Sequence, residues 1–466
     1  MRTLLAEVAK HAGEEVEVRG WVHRVRVLGK SSFLLLRDRS GTAQCVLDGK
    51  AEVTLESVVI VRGKVAANDK APGGHEVQVA ELQVVARAEP DLPVPVNQDP
   101  DKLSLEVVLD HRMVSLHNPK ILSIFKVQAA ILKHFAEALR GEGFTEIKTS
   151  KLIGTGTEGG TGLFSVDYFD TKVFLAQSPQ FYKQAMVASG LERVFEVGCA
   201  YRAEKHETVR HLNEYVSLDV EMAWIDSEQD LMDLEVRILK DIFRGLEKDC
   251  AAELSLWNAT VPSDQQLSRI PRVSHDRARE LIGSIGGHKV YDLNPEGERI
   301  LCDWAAKEHG VDAIFVHGFP RKKRPFYTYP VDNRITMGFD CLFRGLEITT
   351  GSRRINEYRM LLDNIEMFGL KPEGLSDYLS IFKYGCQPHG GFAIGLERLT
   401  QKVLGLANVK EACLFPRDRR RIRPWGTWVP LAHSTGRALS SNDFRSSATP
   451  RVAAQRCRYS LSSLPN

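Results

Sequence analysis

Between Glu14 and Ala86, short runs rich in β-branched and apolar residues recur: VEVRGWV, FLLLRD, AQCVL, SVVIVRGKV and EVQVAELQVVA. Gly, Ser or Asn-Asp punctuation separates them, and the strand-like pattern predicts five strands. Five strands suit a small closed barrel of the OB-fold type, whose face commonly binds single-stranded nucleic acid. The stretch EPDLPVPVNQDP, Glu89 to Pro100, then predicts an extended linker, because proline fixes φ and supplies no amide donor. The expected organisation is a barrel over 1–90, a hinge over 91–118, and a second domain over 119–424.

The period changes after the linker. Ile121, Phe125, Ala129, Leu132, Phe135 and Leu139 recur at steps of three and four, which predicts an amphipathic helix with one face on a core, ended by Gly141 and Gly143. From there to Pro424, strands such as RVFEVGCAYRAE and EYVSLDVEMAW alternate irregularly with helices such as DLMDLEVRILKDIFRGLEK. The even rhythm of a doubly wound sheet is missing, so the fold class expected is α+β with a largely antiparallel sheet flanked by helices. From Trp425 to Asn466 the chain is Ser-rich and Arg-dotted, too sparse in apolar residues to bury a face, and reads as a disordered tail.

With 466 residues, 43% hydrophobic and 26% charged, the composition is that of an ordinary globular protein with room for two or three cores. Net charge is only +2, so affinity for a nucleic acid has to come from local clustering or stacking surfaces. The eight cysteines lack C-x-x-C pairs, which argues against a thiolate zinc site. No apolar run is long enough to span a membrane and no secretory signal is recognisable, so a reducing cytoplasm is the expected location.

Two segments carry the chemistry. FEVGCAYRAEKHETVRHLNEYVSLDVE (Phe195 to Glu221) is a strand, a charged loop and a returning strand; GGFAIGLERL (Gly390 to Leu399) is a Gly-rich strand leading into a helix with Arg398. A lone Arg on a strand is more often a surface or ion-pairing residue, and Gly-rich turns are common. Together and in this order the segments resemble the second and third signature motifs of class II aminoacyl-tRNA synthetases. The resemblance runs from Glu14 to Pro424 and is to the shorter, archaeal-type aspartyl enzymes.

That resemblance implies ATP and Mg²⁺ as cofactors, with Arg202 on the α-phosphate and Arg398 on the γ-phosphate. Guanidinium groups meet phosphate oxygens bidentately and keep their protons, which suits a bent triphosphate whose α-phosphorus must stay open to attack. The implied ATP contacts are Ala203, Glu204, Arg210, His211, Leu212, Glu347, Gly395, Leu396 and Glu397 besides Arg202 and Arg398. Glu347 and Thr350 sit three positions apart in FRGLEITTGSRRINEY, and a carboxylate beside a hydroxyl suits a hard, oxygen-ligated Mg²⁺. Read alone, Glu347 could equally pair with a neighbouring Arg; the resemblance makes it catalytic, alongside Arg202 and Arg398.

Amino-acid choice is read from LAQSPQFYKQ (Leu175 to Gln184) and Arg354. Lys183 and Arg354 at the side-chain end of a pocket favour a carboxylate and are left poorly paired by an amide. The aspartyl resemblance implies Gln180, Phe181, Tyr182, Lys183, Arg202, Thr350 and Arg354 around the substrate, Asp219 near its ammonium, and Glu158 on a loop closing over it. In the barrel it implies Arg26, Phe33 and Gln44 as anticodon contacts, by stacking and edge hydrogen bonds. On periodicity alone Phe33 is as readily a barrel core residue. His23 and Pro72 occupy positions that resemble enzymes charging both tRNA(Asp) and tRNA(Asn), with a tRNA-dependent amidotransferase finishing the second product.

The resemblance also implies a homodimer, although Ser150 stands where the first motif normally has proline, and Arg353 stands where glutamine is usual beside the pocket arginine. The competing readings are an asparaginyl or lysyl enzyme of the same subclass, disfavoured by Lys183 and Asp219, and a non-catalytic RNA-binding paralogue, disfavoured because Arg202, Glu347 and Arg398 are all present.

Overall fold

The computed structural model describes residues 1–156, 162–204, 207–287 and 291–422. The expectations placed on Glu158 and on the tail over 425–466 lie outside the described residues.

The five expected strands form: β1 (Glu15–Leu28), β2 (Ser31–Arg37), β3 (Thr42–Asp48), β4 (Val58–Ala67) and β5 (His75–Ala86). They close in the order β1-β2-β3-β5-β4, with β3 and β5 parallel. Alternation decides the inside: Val18, Val22, Leu34, Leu36, Cys45, Val59, Val61 and Val77 fill the barrel. β1 and β2 lose register between Val22 and Arg24, so His23 is the extra residue of a β-bulge.

The segment expected as a hinge is extended only in part. Val94 and Val96 are buried, Leu105–Asp110 and Arg112–Ser115 are short helices, and Arg112 is buried with its guanidinium on the carbonyls of Glu411, Cys413 and Leu414. These backbone acceptors tie the end of the linker to the second domain.

Helix α1 (Pro119–Gly141) starts at the Asn118 cap, whose side chain accepts from Lys120 and Ile121, and carries the expected apolar stripe. The second domain is built on an eight-stranded sheet. Its strands are β6 (Thr145–Glu146), β7 (Arg193–Tyr201), β8 (Glu214–Ala223), β9 (Arg272–Ser274), β10 (Ala313–His317), β11 (Gly338–Phe343), β12 (Leu346–Arg353) and β13 (His389–Gly395). Their order is β9-β10-β11-β12-β13-β8-β7-β6. The inner pairs are antiparallel and the two outermost pairs parallel.

Further helices are α2 (Gln180–Met186), α3 (Glu228–Asp249), α4 (Pro295–His309) and α5 (Leu396–Leu404). The apolar stripes of α1, α3 and α5 share one core with Phe195, Leu218, Val220, Phe339, Ile348 and Phe392 of the sheet. Among the described residues no helix is long and apolar enough to cross a membrane.

Candidate active site

Strand β8 alternates: Leu218, Val220 and Met222 enter the core while Ser217, Asp219 and Glu221 face the opposite side. Three strands put their polar residues on that side in register. Asp219 pairs across with Ala393 and Glu221 with Gly391, while Thr350 lies opposite Ala393 and Ser352 opposite Gly391. The sheet is therefore the floor of one groove, and its two ends differ in chemistry.

At one end lies a cavity of about 270 Å³ lined by Arg202, Glu204, Arg210, His211, Leu212, Lys323, Arg324, Glu347, Thr350, Gly395, Glu397 and Arg398, among others. Cations outnumber acids on its wall, which suits a polyphosphate. Arg202 follows β7 directly, and the loop after it is held by Asn213, whose amide donates to the carbonyls of Arg202 (2.7 Å) and Glu204 (3.2 Å). Its guanidinium sits 5.5 Å from the Tyr215 ring centroid. Arg398, in the first turn of α5, donates to the Glu347 carbonyl at 2.9 Å and stands 3.7 Å from the Glu347 carboxylate. His211 lies 3.5 Å from Glu204 and takes its other ring nitrogen to Thr208, 2.6 Å away.

Not every expected nucleotide contact lies open to a ligand. Arg210 is engaged by both oxygens of Glu298 on α4, at 2.8 and 2.6 Å, so it is a braced wall residue. Leu396 is buried in the core, and Ala203 is outside the cavity lining, its amide on the Gly162 carbonyl. Burial raises the Glu397 carboxyl to about 7, and its oxygens accept from the Val216 amide.

Thr350 donates to Glu347 at 2.9 Å, and both line the cavity, giving the oxygen donors that a hard divalent ion takes. Glu347 is held low, against its burial, by Arg398. Asp340, opposite Thr350 on β11, was not singled out from the sequence. It is paired with Arg324 at 2.8 Å, and burial lifts its carboxyl to about 6.

At the other end of the groove is a buried ionic cluster. Lys183 donates to Asp219 at 2.9 Å and lies 3.3 Å from Glu221; Arg354 donates to Glu221 at 2.9 and 3.2 Å. Burial alone would raise Glu221; the Arg354 and Lys183 charges hold it below the usual carboxylate range. Glu221 was missed in the sequence although alternation along β8 places it on the face of Asp219.

A chain of neutral groups stands behind. Gln180 accepts from Arg354 at 3.2 Å and donates to Gln184 at 3.0 Å. Gln184 also accepts from the Tyr378 hydroxyl and meets His389 Nε2 at 2.8 Å. His389 Nδ1 faces the Gln387 carbonyl at 2.8 Å, so it carries the proton and Nε2 accepts from Gln184. Burial lowers the His389 pKa, keeping the ring neutral.

Helical spacing puts Gln180, Lys183 and Gln184 on the inner face of α2. The same spacing turns Phe181 and Tyr182 away from the ionic cluster: Phe181 stacks on Tyr378 at 4.1 Å and Tyr182 is exposed to solvent. Arg353, expected beside the pocket, lies over the Tyr329 ring at 4.1 Å and donates to the Asp226 carbonyl. Ser150 is exposed and bonded to the Leu152 backbone.

On the barrel, Arg26 pairs with Phe33 and Phe33 with Val46; one step along, Arg24 pairs with Leu35 and Leu35 with Gln44. These rows share the outer face, so Phe33 is not a core residue, while Leu34 and Leu36 are. Gln44 donates to Glu76 at 2.9 Å. Pro72 is exposed, beyond β4. His23 is only 7% exposed and lies 3.5 Å from Glu56, which also accepts from Arg37 and meets His117 at 2.7 Å; its ring is thus buried within that cluster.

The comparisons with known proteins agree with this geometry. Residues 104–419 match the family model of class II tRNA synthetases (D, K and N), and residues 16–85 match an OB-fold nucleic acid binding domain. An aspartate–tRNA(Asp/Asn) ligase of Deinococcus radiodurans is 49% identical, covering 91% of this chain and 99% of its own length. One from Thermus thermophilus is 47% identical over 91% and 100%, and an aspartate–tRNA(Asp) ligase of Pyrococcus horikoshii 38% over 88% and 97%. Among solved structures, asparaginyl-tRNA synthetase from Pyrococcus horikoshii complexed with asparaginyl-adenylate superposes with a TM-score of 0.83 at 32% identity, covering 91% of this chain and 99% of that one. The chain belongs to the class II aminoacyl-tRNA synthetases, in the group formed by the aspartyl, lysyl and asparaginyl enzymes.

Proposed function

We propose that the protein activates L-aspartate with ATP and transfers it to the 3′ end of tRNA(Asp) and of tRNA(Asn). The observation that supports the amino-acid choice best is the buried Lys183 and Arg354 pair at the end of the groove, two cations balanced by Asp219 and Glu221. A substrate carboxylate adds a third acceptor to these donors. The two cations offer donors only, so both oxygens of a carboxylate can accept from them, whereas the amide of asparagine sets N–H groups against N–H groups.

The reaction follows from the groove. The aspartate α-carboxylate attacks the α-phosphorus, an aspartyl-adenylate forms and pyrophosphate leaves; a terminal ribose hydroxyl of the tRNA then attacks the acyl carbon and AMP departs. Arg202 meets the charge that builds on the α-phosphoryl oxygens, and Arg398 holds the far end of the triphosphate. Positioning and fixed charge are sufficient, and no covalent enzyme intermediate is required. Glu347 and Thr350 would hold Mg²⁺, which supplies charge neutralisation between phosphates when bound. The barrel face with Arg26, Phe33 and Gln44 would take splayed anticodon bases.

The names of the two relatives near half identity, both aspartate–tRNA(Asp/Asn) ligases, support the relaxed tRNA choice. A homodimer, a cytoplasmic location and a downstream tRNA-dependent amidotransferase belong to the same reading. Charging both tRNA transcripts side by side tests it: aspartate is expected on each, and acceptance of tRNA(Asp) alone would reject the relaxed reading. Pyrophosphate exchange that runs on asparagine instead of aspartate would reject the amino-acid assignment. Arg202→Ala is expected to abolish exchange while tRNA binding persists, an outcome no binding-only paralogue produces.

A further inference from the structure

Glu235, on α3, is fully buried, and the helix that carries it packs Leu231, Leu234, Ile238 and Ile242 into the main apolar core. Its Oε1 accepts a hydrogen bond from the Thr349 hydroxyl of β12 at 2.6 Å. Packing alone does not call for a carboxyl there, since a leucine would fill the place without a polar group to satisfy.

What stands beyond Thr349 gives the contact its meaning. β11 and β12 pair as Cys341 with Thr349 but Leu342 with Glu347, so Ile348 is the extra residue of a bulge. In an unbroken strand Glu347 and Thr350, three positions apart, face opposite sides of the sheet. The bulge sends Ile348 and Thr349 together toward the core, and Glu347 and Thr350 together into the nucleotide cavity, where they are bonded to each other.

We propose that Glu235 is a positioning residue for the nucleotide and metal site: by holding Thr349 from the core side it pins the bulge that turns Glu347 and Thr350 into the cavity. The proposal rests on Glu347 and Thr350 as the ion-holding pair. Without an acceptor in the core, the Thr349 hydroxyl favours a register in which it reaches another partner. A slip of one residue reverses the face of every side chain it includes, and Glu347 would leave the cavity.

The test compares full-length wild type with Glu235→Gln, Glu235→Leu and Thr349→Val. Amide hydrogen exchange of the segment Leu346–Arg353 is measured without metal or nucleotide, and affinities for ATP in Mg²⁺ and for aspartate are measured by calorimetry. Glu235→Gln keeps an oxygen acceptor and is expected to match wild type in all three. Glu235→Leu and Thr349→Val are expected to speed exchange of the segment and to weaken ATP binding in Mg²⁺ by about 10-fold or more, the loss typical when a residue behind a metal ligand is removed. Aspartate affinity is expected to fall less than ATP affinity, because Thr350 belongs to both readings while the Lys183–Asp219 and Arg354–Glu221 pairs lie outside the bulge.

Thr349→Val keeps the shape of the side chain and decides the matter if Glu235→Leu does not fold. Unchanged exchange and ATP binding in Thr349→Val overturn the proposal. So does an equal loss of ATP and aspartate affinity, which marks collapse of the whole sheet. A loosened segment with unmoved ATP affinity overturns it through the Glu347–Thr350 assignment, leaving aspartate activation by wild type as the separate check on the functional reading.

Discussion

Arg354 reaches across β13 to grip Glu221 on β8, Nε to one carboxylate oxygen at 2.9 Å and an NH2 to the other at 3.2 Å, while the same NH2 touches the Gly391 carbonyl at 3.0 Å on the way. Neither residue is more than 5% exposed. The pair is therefore a structural clasp across three strands, and under the proposed function it is the inner wall of the amino-acid site.

Glu221→Gln tests the clasp. Removing one partner of a buried, hydrogen-bonded ion pair leaves the other charge without compensation, at a cost of about 3–5 kcal/mol. Urea unfolding is expected to show a loss in that range, with a higher KM for aspartate. A variant as stable as wild type would mean that partners such as Gln180, Ser352 and the Gly391 carbonyl satisfy Arg354 without the carboxylate.

Gly391 makes the crossing possible. A Cβ there would lie 2.1 Å from the Val220 carbonyl oxygen and 2.2 Å from Glu221 Oε2, distances no packed atom tolerates. Gly391→Ala is expected to displace Glu221 and to cut kcat/KM for aspartate in pyrophosphate exchange by at least about 100-fold, the scale of loss from a small misplacement at a reacting site. The readout that separates this from unfolding is ATP affinity, which is set two residues away along β13 and is expected to change little.

The sequence pattern places many of the groove's residues, and what it leaves unplaced has physical causes. Arg202, Arg398, Lys183 and Asp219, which stand in contiguous and strongly patterned segments, gather along one groove. Glu221 was legible in principle from the period of β8. A motif read as a string does not distinguish Phe181 and Tyr182 from their neighbours, because only the turn of the helix sends Gln180, Lys183 and Gln184 inward. The burial of His23 could not be read in advance because it occupies a bulge, and neither the site nor the facing of a bulge follows from strand alternation. Phe33 was undecided in sequence, and the barrel register resolves it to the outer face.

The barrel's acid response follows from Glu56. It accepts from Arg37 at 2.8 Å and lies against His117 and His23, and these partners, overcoming its burial, bring its pKa from 4.5 to about 2. A carboxyl whose folded pKa is depressed adds stability above its unfolded pKa, lost as pH falls through the folded value. Between about pH 4.5 and 2 the melting temperature of wild type is expected to fall, and Glu56→Gln is expected to flatten that part of the curve. Parallel curves for the two proteins would show that other groups govern the acid limb.

Glu235 gives the opposite sign. Burial raises its carboxyl from 4.5 to about 8, so near neutrality the folded protein holds a proton there that the unfolded chain has released. With more protons bound in the native state, stability falls as pH rises across that window and levels off once both states are ionised. Glu235→Gln removes the titrating group while keeping an acceptor for Thr349. The melting temperature of the variant relative to wild type is therefore expected to climb in the variant's favour from about pH 5 to 8 and then to hold steady. A constant difference across that range would mean that Glu235 is ionised in the fold, with a charge compensated by groups other than Thr349.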